Sequence, residues 1–148
     1  MGVVMMTMWC GFVIAEELIY RYHISTPEAI YRIREIEFYY NSHDYQDPTV
    51  YGIIQAKHKN GLGIHRHKKR QSSQFTWFIH YSGIDIVFGE GETPAGILIR
   101  AVERIGKNSF ADEYIDGPLV VLLELMNQST SVFDSAPFQL RLVDAKRT

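Results

Sequence analysis

The twelve residues from Ala29 to Tyr40 constrain the fold more than any other stretch of the chain. They mix β-branched and aromatic side chains with interleaved charges and contain neither glycine nor proline, which is the composition of a long pleated strand. Side chains of a strand alternate between faces, so Ile30, Ile36, Phe38 and Tyr40 fall on one side and Ile33, Glu35, Glu37 and Tyr39 on the other. Two carboxylates and a phenol therefore share a face. A strand of this length needs neighbours to pair its backbone groups.

The neighbours are legible on both sides. Tyr20 to Ile24 is aromatic and β-branched, and Ser25-Thr26-Pro27-Glu28 supplies a turn into the long strand. Phe75 to Tyr81 and Ile84 to Phe88 read as two strands pinched at Ser82-Gly83, and Gly89-Glu90-Gly91-Glu92-Thr93-Pro94 leads to a third, Gly96 to Glu103. Phe75, Trp77, Ile79 and Tyr81 alternate onto one face, the pattern of core packing or of a stacking surface. Phe138 to Val143 offers a last strand. Asp116 reads as an N-cap, with Pro118 in the first turn and Leu119, Leu122, Leu123 and Met126 on one stripe of a core-packing helix that runs to about Asn127.

Val3 to Ala15 is apolar apart from Thr7 and Gly11, too short to span a bilayer, preceded by no Lys or Arg and followed by Glu16-Glu17. It reads as a buried first helix, Met1 to about Glu17, rather than a targeting segment. The expected architecture is α+β: a mixed, mainly antiparallel β-sheet or partial barrel with flanking helices. At 148 residues and 46% hydrophobic, one domain over residues 1–148 is the expectation. The single cysteine, Cys10, sits in an apolar run and reads as a small buried hydrophobe. A cytoplasmic protein with no membrane partner is expected.

Net charge is −2, but the charge is unevenly placed. Pro48 to Ile84 contains no Asp or Glu, while Lys57, Lys59, Arg66, Lys68, Lys69 and Arg70 make it a basic patch inside a long polar loop, about residues 41–73. Such a loop is either solvated or in contact with nucleic acid. His58, His65 and His67 lie among those lysines, which disfavour a metal, so neither a metal nor a cofactor is expected.

Two strands bring a family into view. Arg34-Glu35-Ile36-Glu37-Phe38-Tyr39 resembles the strand of alkyladenine (3-methyladenine) DNA glycosylases that ends in a Glu-x-Tyr motif, and Gly96-Ile97-Leu98-Ile99-Arg100-Ala101-Val102-Glu103 resembles that family's later strand. Trp77 to Phe88 and Asp116-Gly117-Pro118 match in order between and after them, so the resemblance covers roughly residues 29–127. It implies a 3-methyladenine DNA glycosylase-like fold and hydrolysis of the N-glycosidic bond of alkylated purines in DNA, as in base excision repair. Glu37 takes the place of the catalytic carboxylate, Arg100 that of the active-site arginine, and Tyr39 that of the base-stacking tyrosine. Tyr51 stands where the family has a histidine that contacts the flipped nucleotide. Asp85 stands where the family has a wedging tyrosine, and Gly89 where it has an asparagine. His80 and Tyr81, with Trp77, are further candidates for contact with a base, and the basic loop would hold phosphates. The partner implied is DNA, bound by a monomer.

Other readings fit the same residues. Glu35 and Glu37 can pair with Arg32, Arg34 or Arg100 across a sheet face. A charge at Arg100 in an apolar strand needs a carboxylate partner, which is Glu37 in either account. A non-catalytic nucleic-acid-binding relative, or a hydrolase of small nucleosides, would keep part of this pattern.

Overall fold

The computed structural model describes residues 11–40, 75–87, 95–106, 111–127 and 140–147. Within them the chain is mixed α+β. Helix α1 is α-helical over 11–16 and ends in a π-turn, Glu17–Arg21. Strands β1 (Tyr22–Ser25), β2 (Ile30–Tyr40), β3 (Trp77–His80), β4 (Gly83–Val87), β5 (Ala95–Arg104) and β6 (Glu113–Asp116) follow. Helix α2 (Pro118–Met126), strand β7 (Arg141–Asp144) and a closing 3-10 turn complete the order. The strands hydrogen-bond in the order β3-β4-β5-β2-β1-β7, with β6 paired to β5. The pairings β1–β2, β1–β7, β4–β5 and β5–β6 are antiparallel.

Contacts divide the chain into two compact units, residues 1–37, 79–84 and 99–148 in the first and 38–78 and 85–98 in the second. In the first, the β1–β2 hairpin closes on Thr26. Its N–H and hydroxyl both donate to the Ala29 carbonyl (2.9 and 3.1 Å), and its Oγ1 accepts the Ala29 N–H at 3.0 Å. A hydroxyl that satisfies both groups of the returning residue fixes the register of β2. That register buries Tyr31 and Ile33 completely, along with Ile24 on β1. On β5 Val102 is fully buried on the face that bears Arg100, and Ile99 on the opposite face; Val121 and Leu125 of α2 are fully buried and Leu122 nearly so. Each such aliphatic contributes on the order of 1.5–3 kcal/mol when fully buried. In the second unit, β4 pairs with the start of β5, Asp85 opposite Leu98 and Val87 opposite Gly96. All of 85–87 and 95–98 are buried there.

Several expectations are corrected. Asp116 is the last residue of β6 and not a helix cap; the N-cap is Gly117, at φ 97, with no side-chain cap bond. That left-handed backbone favours glycine, and Pro118 then needs no N–H of its own. The buried stripe of α2 is Val121, Leu122 and Leu125, while Leu119, Leu123 and Met126 are exposed. The helix is apolar nearly all round, so periodicity alone did not say which side faces inward. In α1, Leu18 is buried but Phe12, Val13 and Tyr20 are exposed, so the described part is not a buried helix. Tyr20 is in the π-turn and strand β1 begins two residues later. Phe75, Ile79 and Tyr81 are exposed and do not form a core face. Cys10, Phe138 and the basic loop lie outside the described residues.

Candidate functional site

Strands β2 and β5 carry the candidate carboxylates and the arginine. Contacts between them run in opposite directions. The Ile105 N–H donates to the Ile30 carbonyl at 2.9 Å, Arg32 reaches Glu103, and Arg100 reaches Glu35 and Glu37. The period of two along β2 places Glu35 and Glu37 one pleat apart on a common face. Arg100 meets both there: its Nε donates to Glu35 Oε1 at 3.2 Å, and a terminal guanidinium nitrogen donates to Glu37 Oε2. All three residues belong to the first unit.

The cluster is open to solvent, with side-chain exposures of 39% for Arg100, 52% for Glu35 and 40% for Glu37. The guanidinium is pushed above its ordinary pKa, first by the hydrogen bond it donates to Glu37, then by the charge of Glu37, with Glu35 adding less. The cluster thus sets two carboxylates around the Arg100 guanidinium. It suits a proton acceptor, or a surface facing developing positive charge. The Gly117 N–H donates to the Arg100 carbonyl at 3.0 Å, which anchors the start of α2 at the strand position that bears the arginine.

Of the other expected residues, Tyr39 lies on β2 in the second unit and is partly buried. His80 ends β3, and its Nδ1 faces the Ser82 hydroxyl at 2.9 Å and the Ser82 N–H at 3.4 Å. Tyr81 follows at the turn, 84% exposed, with its ring edge-on to His80. Trp77 is partly buried on β3. Asp85, which stands where the family has a wedging tyrosine, is 3% exposed within β4. Tyr51, Lys57, Lys59, Arg66, Lys68, Lys69, Arg70 and Gly89 lie outside the described residues. Among the described residues no group of three or more His, Cys, Asp or Glu side chains could hold a metal. No described helix is long and apolar enough to cross a membrane.

Two further clusters were not singled out from the sequence. Tyr31, fully buried, donates its hydroxyl to Glu124 Oε1 of α2 at 2.8 Å, where Arg104 also donates at 3.0 Å while pairing with Glu113. On the other face of β2, Arg32 donates to Asp112 at 2.6 Å and to Glu103 at 3.4 Å, and Arg34 also reaches Glu103. Asp112 accepts the Gly106 N–H at 2.9 Å. That bond, followed by the one from Arg32, holds its carboxyl below the usual value. The signal was present in the alternation of β2, where Arg32 and Arg34 fall opposite the face of Glu35 and Glu37. The partners Glu103, Asp112 and Glu124 are distant in sequence, and spacing could not supply them.

No family model and no solved structure matches the chain. An uncharacterized protein of Acanthamoeba polyphaga mimivirus is 28% identical over 128 residues, covering 78% of this chain and 56% of the viral protein. The chain thus spans little more than half the length of the curated relative it matches.

Proposed function

We propose that the chain is a DNA glycosylase-like hydrolase of N-glycosidic bonds to alkylated purines, with Glu37 as general base and Arg100 as its positioning residue. The observation that carries this reading is the solvent-open Glu35–Arg100–Glu37 cluster. A carboxylate already oriented by a guanidinium can take the proton of a water as that water attacks the sugar carbon. The same negative charge faces the positive charge that grows on the sugar as the base departs. The base must first leave the stack. Tyr39, Tyr51, His80 and Tyr81 are the candidate contacts for it, and Lys57, Lys59, Arg66, Lys68, Lys69 and Arg70 those for phosphates. The test is base release from duplex DNA carrying one ethenoadenine or hypoxanthine. Glu37→Gln should lower the rate by about 10²–10⁴-fold, the usual share of general-base catalysis, and leave DNA affinity largely intact.

One observation favours a second reading, a nucleic-acid-binding relative without turnover. Tyr81 presents its ring to solvent at a turn, a stacking surface that requires no pocket. Binding that falls steeply with salt and ignores lesions would support this reading, and preference for an alkylated or abasic site would support the enzyme.

A further inference from the structure

Strand β1 carries a histidine in surroundings that do not suit a charge. The Nδ1 atom of His23 is screened from solvent and has no hydrogen-bond partner. Register places His23 opposite Arg32 on β2 and opposite Val143 on β7, so the ring lies between a guanidinium and an aliphatic side chain. Burial, and after it the charge of Arg32, push the imidazole below its ordinary pKa.

The other charged groups on these elements are engaged elsewhere. Arg32 donates to Asp112 and Glu103, and Arg34 pairs with Glu103. Arg21, just before β1, pairs with Glu17 and with Asp144 of β7. Arg141 sits two positions from Val143, opposite Ser25, and adds a further cation on β7. Among the described contacts none brings a carboxylate to the His23 ring.

We infer that His23 makes the junction between β1 and β2 a proton-operated joint: its half-buried neutral ring packs between β2 and β7, and proton uptake below neutral pH sets an imidazolium with a screened, unpartnered Nδ1 against Arg32 and loosens β1, with β7 attached, from β2. The sign follows from linkage. The unfolded ring takes its proton near the ordinary value of 6.5, and the folded ring takes it lower. Stability is therefore intact above about pH 6.5 and falls as pH drops through the folded value. Strand β1 has four residues, so the expected change is a local opening of β1 and β7.

Amide hydrogen exchange on the full chain at pH 7.5 and pH 5, beside an NMR titration of the His23 ring, tests this. Protection of the β1 and β7 amides, corrected for intrinsic exchange, should be partly lost at pH 5, with β5 amides unchanged. The drop should vanish in His23→Gln and shrink in Arg32→Gln, and the ring should titrate below 6.5. Constant protection in the parent chain, an equal drop in His23→Gln, or a ring that titrates at or above its ordinary value would overturn the inference.

Discussion

Arg100 and Arg104 lie on one face of the same strand, yet they do different things. Arg104 joins elements: besides Glu113, its register partner on the already paired strand β6, it reaches Glu124 on α2, and Glu124 also holds the hydroxyl of buried Tyr31. Arg100 meets two carboxylates of β2, a strand already tied to β5 by backbone hydrogen bonds. An exposed pair between strands already joined adds little to stability. The Arg104–Glu124 contact thus ties a helix to the sheet, whereas the exposed Arg100 cluster spans two strands already paired and is expected to add little to stability.

Substitutions can break that contrast. Glu124→Ala removes the acceptor shared by Tyr31 and Arg104 and should cost about 1–3 kcal/mol in urea unfolding, because one of the donors is buried. Tyr31→Phe loses one hydrogen bond but keeps the ring packed, so about 0.5–1.5 kcal/mol is expected in the same measurement. Arg100→Gln should leave the unfolding midpoint where it is while lowering base release. A midpoint that falls as far as in Glu124→Ala would make Arg100 a structural residue. The smallest effect is on acid stability. The carboxyl of Asp112 is held below its ordinary 3.8, so its contribution is present above that pH and fades as pH falls through the folded value. Asp112→Asn should lower stability slightly at neutrality and flatten the curve below about pH 4, where the parent loses the same contribution.

The long strand was the most legible part of the sequence. Ala29 to Tyr40 was expected and Ile30–Tyr40 is found, since unbroken β-branched and aromatic residues leave few other conformations. Gly96 to Glu103 became Ala95–Arg104, an apolar run with Ile97, Ile99 and Val102 as its β-branched residues, and the pairing of Arg100 with Glu37 followed from the cost of a lone charge in an apolar run. Strand β6 was missed because Glu113-Tyr114-Ile115-Asp116 is short and half charged, and only its pairing with β5 makes it a strand. The inner face of α2 was misassigned because Leu and Val surround the helix and tertiary contact alone selects the buried side. His23 was passed over for a similar reason. Nothing in Tyr22-His23-Ile24 says that the ring will face Arg32.

The most direct test remains base release from duplex DNA bearing a single ethenoadenine, measured for the parent chain and for Glu37→Gln at matched stability. The account predicts release by the parent and a loss of about 10²–10⁴-fold in the variant. No release by the parent, or equal release by both, would contradict it.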